Sequence, residues 1–260
     1  MNTIAVTDRK THSDSLVLAK AAAERLGIPF VDRKKASLAD LRASYGVDNI
    51  LIAKKGLLYL DTPEGELFFH PNMSQLRVKN LRLGQSDHMV EAMGIKPGMK
   101  VLDCTMGFGA DSIVASFAAG DNGSVTGVEV SPLIAEVVGY GLSHFLAGNY
   151  EMHAALRRIK VVNADYLDFL KRQPDKSFDS IYFDPMFRYP LTDSKNINPL
   201  RSVADHRPLS EEAVAEARRV ARHRVVMKEN ARSLEFARLG FDTIMGGKYS
   251  KVHYGVIMLD

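Results

Sequence analysis

Apolar positions along this chain alternate between two rhythms. One is a short run of β-branched or aliphatic residues, the mark of a buried strand. The other is the three-to-four spacing of a helix with a single apolar face. The strand rhythm opens the chain at Ile4-Ala5-Val6, and helical spacing follows over residues 15–26, where Gly27 supplies a stop and Pro29 a break. Residues 29–32 are expected to form another strand and residues 38–44 a weak helix. Runs at 49–54, 57–60 and 66–69 read as strands, with Asp61-Thr62-Pro63-Glu64-Gly65 turning the last two into a hairpin. Residues 1–72 are thus expected to form a small α/β domain.

From residue 73 to 260 the rhythms alternate strictly. A helix is expected at 87–93, and Lys96-Pro97-Gly98 turns the chain into a strand at 100–103. Helices at 111–119, 132–145, 166–173, 210–221 and 234–239 then interleave with strands at 124–130, 159–163, 178–183, 224–228 and 252–258. Such alternation predicts an α/β fold, a largely parallel sheet with helices on both faces.

Composition narrows the chemistry more than the fold. No apolar run approaches the roughly 20 residues that a membrane span needs, and the first residues lack the basic and apolar regions of a signal peptide. A cytoplasmic protein without a membrane partner is expected. The single cysteine, Cys104, excludes an internal disulfide and a cysteine-cluster zinc site, and none of the eight histidines has metal-ligand spacing, so no metal is expected. The net charge of +3 is unevenly spread: residues 1–100 carry +4, residues 101–187 carry −5 and residues 188–260 carry +4. An acidic middle between basic flanks suits a small cationic ligand in the centre and a polyanion across the flanks.

The acids of that middle segment fall at strand ends, where open α/β sheets hold ligands. Asp103 ends one strand and leads into Gly107-Phe108-Gly109-Ala110-Asp111, a glycine turn entering a helix, while Glu129 ends the next strand, followed by Val130. A carboxylate in the position of Glu129 can accept both ribose hydroxyls of a nucleoside cofactor. A nicotinamide dinucleotide fits the same outline, with Ser112 as the third small residue of its loop, but Asp103 and Asp111 would repel a pyrophosphate. They suit the sulfonium and ammonium of S-adenosylmethionine. Asp165, beside Tyr166, could accept an adenine amine, although an acid there also reads as a helix N-cap.

Asp184-Pro185-Met186-Phe187 follows the apolar run at 178–183. A carboxylate, a carbonyl beside a proline that lacks an N–H, and an aromatic ring form an acceptor-rich pocket for a flat, amine-bearing group. Hydrogen bonds to both amine protons would aim the nitrogen lone pair at a methyl donor, and Phe187 could stack on the base. The long segment that follows carries Arg188, Tyr189, Lys195, Arg201 and Arg207, candidates for RNA phosphates and a flipped base, and Lys228 ends a later strand at the same ligand edge.

These motifs resemble the class I S-adenosylmethionine-dependent methyltransferases, and within them the RsmJ-type ribosomal RNA guanine-N2 methyltransferases. The resemblance spans roughly residues 75–258 and rests on residues 103–111, on Glu129-Val130-Ser131-Pro132, on Asn163-Ala164-Asp165-Tyr166-Leu167 and on residues 184–187. It implies a Rossmann-like sheet, S-adenosyl-L-methionine as cofactor with S-adenosyl-L-homocysteine as product, and methylation of guanine N2 in 16S ribosomal RNA, free or in the small subunit. Carried over by motif, cofactor contacts fall on Ala110, Asp111, Glu129, Val130, Asp165, Tyr166 and Asp184. The chain departs from the pattern at Ala110, where that family has a basic residue, and at Arg188, where a second proline is expected. The alternatives are a nicotinamide-dependent oxidoreductase and an RNA-binding or assembly protein that keeps the fold without catalysis.

Overall fold

The computed structural model describes residues 2–9, 12–146, 150–185 and 205–259. These form two units. In the first, β1 (Thr3–Thr7), β2 (Asn49–Lys54), β3 (Leu57–Thr62) and β4 (Gly65–Phe68) make a sheet in that order, with β1 parallel to β2 and the others joined as antiparallel hairpins. Helix α1 (Ser13–Leu26) ends where Gly27 turns left-handed and donates its N–H to the carbonyls of Ala23 and Glu24. Helix α2 (Leu38–Tyr45) starts in a reciprocal capping box between Ser37 and Asp40. Its Leu41, with Val47, closes over Ile4, Val6, Ile50 and Ile52 from alternate strand positions. The strand expected over 29–32 is reduced to one parallel bridge between Phe30 and Ala5, since Pro29 has no N–H to extend a ladder. Helix α6 (Pro132–His144) belongs to this unit, and its Glu136 pairs with Arg25 at 2.5 Å.

The second unit is a seven-stranded sheet ordered β10-β11-β9-β8-β5-β6-β7. Its strands are β5 (Lys100–Asp103), β6 (Ser124–Glu129), β7 (Ile159–Asn163), β8 (Phe178–Phe183), β9 (Ala221–Asn230), β10 (Thr243–Met245) and β11 (Val252–Met258). Strands β5 to β9 run parallel, while β11 is antiparallel to both β9 and β10. Helices α3 (Asn72–Arg82), α4 (His88–Met93), α5 (Ala110–Ala119), α7 (Tyr150–Arg157), α8 (Tyr166–Lys171), α9 (Glu211–Val220) and α10 (Glu235–Arg238) complete it. No helix among the described residues is long and apolar enough to cross a membrane.

Chain order reverses at β5. The strands that follow it directly, β6 and β7, build outward on one side, and β8 and β9 build on the other. Such a reversal leaves a crevice beyond the carboxyl ends of the flanking strands, here β5 and β8. Asp103 ends β5, Glu129 ends β6 and Asp184 follows β8, so the topology alone gathers the strand-end acids.

Four elements depart from the expected pattern. Helix α3 went unread because it is polar over most of its length, with Ser74 and Val78 as its buried side chains. Helix α7 and the three-residue β10 are too short for a clear period. Strand β9 begins at Ala221, directly after α9, so the charged Arg222-His223-Arg224 belongs to the strand.

Close packing against β11 is set by Gly255: a Cβ there would sit 2.4 Å from the Phe236 ring and 2.8 Å from the Phe241 Cβ. Gly255→Ala is therefore expected to destabilise the protein by about 1–3 kcal/mol through overpacking. Urea unfolding measures this directly, and an unchanged midpoint would show that the two rings can retreat.

Candidate active site

Two hydrogen bonds align the crevice. The Asp184 N–H donates to Thr105 Oγ1 at 2.6 Å, and the Cys104 N–H donates to the Tyr182 carbonyl at 2.9 Å, tying the segment after β5 to the end of β8. Gly107 and Gly109 adopt φ of 51° and 75°, which favours glycine, and Gly109 caps α5. A Cβ on Gly107 would meet nothing within 4 Å, so backbone faces open space there.

The acids divide into two kinds of environment. Asp103 is buried and pairs with no cation among the described residues: Thr105 N–H donates to Oδ1 at 3.1 Å and Ser112 Oγ to Oδ2 at 2.6 Å. Burial, aided by the nearby Asp111 charge, pushes its carboxyl up to about 7. Glu129 accepts N–H groups from Gly107 at 2.9 Å and Ser131 at 2.8 Å, and burial raises its carboxyl as well. The Val130 N–H also acts on it, and since a carboxylate has about four acceptor sites Glu129 keeps some capacity for a hydroxyl donor.

Asp111 and Asp184 instead share cations. Arg77, from α3, sends Nη1 to Asp111 Oδ1 while its other nitrogens grip Asp87 at 2.7 and 2.9 Å. Lys228, from β9, places Nζ 2.6 Å from Asp184 Oδ2 and 3.2 Å from Asp111 Oδ2, which also accepts the Tyr182 hydroxyl at 2.8 Å. Burial opposes charge on Asp111, but Lys228 and Arg77 prevail and hold it below the usual carboxylate range. Burial and the Asp111 charge push the Asp184 carboxyl up against the pull of Lys228. Tyr254, the cross-strand partner of Lys228, has its phenol pushed up to about 12 by burial and by Asp111.

The sequence-derived candidates therefore have distinct placements. Asp103, Gly107, Gly109, Glu129, Val130, Asp184, Pro185 and Lys228 lie on β5, β6, β8, β9 or the segments leaving them, and Ala110 and Asp111 open α5. Asp111 is more constrained than the sequence suggests, since both oxygens serve side chains of this same unit. Asp165 caps α8, accepting from Leu167 N–H at 2.8 Å and Asp168 N–H at 3.2 Å, and its Oδ2 takes Arg207 Nη2 at 2.6 Å. Arg207 also pairs with Asp205, and Tyr166 meets Phe183 edge-on. Phe187, Arg188, Tyr189, Lys195 and Arg201 lie outside the described residues. Arg77, Thr105, Tyr182 and Tyr254 were missed. A tyrosine inside the buried run of β8 was the available signal, because its hydroxyl must find a partner.

The family described as "Putative SAM-dependent methyltransferase" matches residues 21–251. The chain belongs to this family of S-adenosylmethionine-dependent methyltransferases. Among its relatives, this methyltransferase is 38% identical to the "Uncharacterized protein YpiP" of Bacillus subtilis, over 96% of this chain and 97% of the relative. It is 29% identical to "Ribosomal RNA small subunit methyltransferase J" of Buchnera aphidicola, over 64% of this chain and 68% of the relative. A SAM-dependent methyltransferase structure from Neisseria gonorrhoeae shares the fold, with a TM-score of 0.66 at 18% identity over 98% of this chain and 95% of that one. The cofactor is S-adenosylmethionine, and the nicotinamide alternative is not favoured.

The residues of the methyltransferase fit that group. Open space beside Gly107, spare acceptor capacity on Glu129 and a surplus of carboxylates over cations suit a nucleoside with a cationic tail. Asp103 provides a measurable consequence. Its carboxyl holds a proton to about pH 7 in the fold but to about pH 4 when unfolded. The folded state is then the better proton binder across that window, so this group's contribution to stability falls as pH rises through it. Asp103→Asn cannot ionise. Thermal melts of the ligand-free protein at pH 5 and pH 8 are expected to show wild type losing stability relative to the variant at the higher pH. Parallel behaviour would mean that Asp103 ionises in the fold as readily as in the unfolded chain.

Proposed function

We propose that this methyltransferase acts on the exocyclic amine of a nucleobase, guanine N2 in small-subunit ribosomal RNA. The observation that carries the reading is the acceptor character of Asp184-Pro185 at the crevice. The Asp184 N–H is spent on Thr105, Pro185 has none, and Asp184 Oδ2 already accepts N–H from an amine, the Lys228 ammonium. Lys228 engages only Oδ2, so Asp184 Oδ1 would be the oxygen offered to a substrate amine.

In this reading the cofactor supplies the methyl group when bound, and the chain supplies placement. Asp103, Gly107, Gly109, Ala110, Asp111, Glu129, Val130, Asp165 and Tyr166 would hold it. Asp184 and the Pro185 carbonyl would accept the two amine protons, directing the nitrogen lone pair, and Phe187 would stack on the base. Lys228 keeps Asp184 ionised and fixed while leaving one oxygen for substrate. Arg207, Arg188, Tyr189, Lys195 and Arg201 remain candidates for RNA contacts. The name and the likeness of the Buchnera relative support the ribosomal substrate.

Asp184→Ala is expected to lower methyl transfer by about 10²-fold or more, with affinity for S-adenosylhomocysteine, followed by calorimetry, falling far less. Equal losses would make Asp184 chiefly a cofactor ligand. Mass mapping of modified nucleosides in ribosomal RNA from cells with and without the gene tests the substrate: loss of one N2-methylguanosine is expected, and an unchanged inventory rejects ribosomal guanine.

A further inference from the structure

The first unit carries a sheet face that the chemistry above does not use. Tyr59 on β3 and Phe68 on β4 are direct cross-strand partners, so their rings leave the same side of the sheet, with centroids 5.3 Å apart. The row extends to His70, whose ring meets Phe68 edge-on at 6.5 Å. On the other flank, Lys54 sets Nζ 5.4 Å from the Tyr59 centroid. Leu41 and Val47 cover the neighbouring aliphatic positions of this face, but Phe68, on the outermost strand, stays 42% exposed. A single exposed ring is ordinary, whereas a tilted pair of neighbouring rings beside a lysine, with Phe68 the more open of the two, offers an aromatic surface next to a cation.

Positive charge collects at the same edge. Strand β1 runs into Arg9, the Phe30 segment runs parallel to it and into Arg33-Lys34-Lys35, and β2 turns at Lys54-Lys55. All three open on one edge because their strands run the same way. Lys34, Lys35 and Lys55 are exposed. Burial lowers the Arg33 guanidinium from its ordinary value and the charge of Arg9 adds to this, a sign of crowded cations. Of the acids nearby, Asp61 is held by Arg42 at 2.5 Å, Asp32 accepts the Lys34 N–H at 3.3 Å, and Asp8, next to Arg9, partly offsets the charge around Arg33. Glu66 is exposed and marks the limit of the basic area.

We infer that this face binds single-stranded RNA, with bases stacking on Tyr59 and Phe68 and phosphates held by Lys54, Lys55 and the Lys34-Lys35 pair. Flat rings accept any base, and the cations favour any phosphate chain, so the face captures substrate while the second unit selects the reacting amine. The choice of RNA rests on the ribosomal reading. Recognition of a single strand rests on the aromatic surface itself, since a paired helix hides its base faces.

Fluorescence anisotropy with a short labelled single-stranded RNA, its duplex and the matching single-stranded DNA tests the assignment on the full chain. Wild type is expected to prefer the single-stranded RNA. Phe68→Ala and the double change Lys54→Glu with Lys55→Glu are each expected to weaken it about tenfold, while Phe68→Tyr retains binding. S-adenosylhomocysteine affinity and melting temperature, unchanged in all variants, separate lost binding from lost folding. Wild-type affinity in Phe68→Ala, or preference for duplex or DNA, overturns the inference. Its failure is distinct from failure of the ribosomal reading. RNA bound through Phe68 without any change in N2-methylguanosine rejects only the substrate. Ribosomal guanine methylated equally well by the binding variants rejects only the face.

Discussion

The ligand end of the seven-stranded sheet depends on one electrostatic constraint: carboxylates at buried strand ends need cations fixed beside them. Removing a charged group from water costs several kcal/mol even after relaxation, and only close opposite charges with satisfied hydrogen bonds offset it. Here the charges form a chain, Asp87 to Arg77 to Asp111 to Lys228 to Asp184, in which each cation serves two acids. Asp103 stands outside that chain with only an amide and a hydroxyl as donors. Its carboxyl is accordingly the one pushed up to about 7.

This division gives the site its polarity. The matched acids, Asp111 and Asp184, are fixed in direction by partners arriving from α3 and β9. The acids that no described cation pairs with, Asp103 and Glu129, lie at the ends of β5 and β6 beside the glycine turn, where negative charge and spare lone pairs favour a cation and hydroxyl groups. Lys228 links the two functions proposed for the crevice, because one ammonium both neutralises Asp111 and orients Asp184. Loss of that lysine should therefore be felt in folding as well as in chemistry.

The sheet and the acids were legible in sequence for a common reason. Buried parallel strands read as apolar runs, and ligands in such sheets lie past the strand ends, so acids ending β5, β6 and β8 could be picked out by position. Arg77 could not, because it sits on a helix whose polar surface hides its period. Lys228 could be placed at the ligand edge as a candidate substrate contact, but its pairing with Asp184 and Asp111 appears only with β9 next to β8. Asp165 shows the converse: its N-cap geometry is a local fact that sequence offered only as an alternative, and its pairing with Arg207, 42 positions away, was not read at all. In the first unit, Tyr59 and Phe68 lie nine positions apart in the sequence, and only the β3–β4 register brings their rings together.

The central claim is that Lys228 is held in the fold by the acids it neutralises. A double-mutant cycle on stability, using Lys228→Met, Asp111→Asn and the pair together, tests it most directly. Lys228→Met alone is expected to cost about 3–5 kcal/mol by leaving uncompensated buried charge. Asp111→Asn in the same chain should restore a substantial part of that loss. If the two substitutions prove additive in urea unfolding, the acids and the lysine are not energetically coupled, and the electrostatic account of the site is wrong.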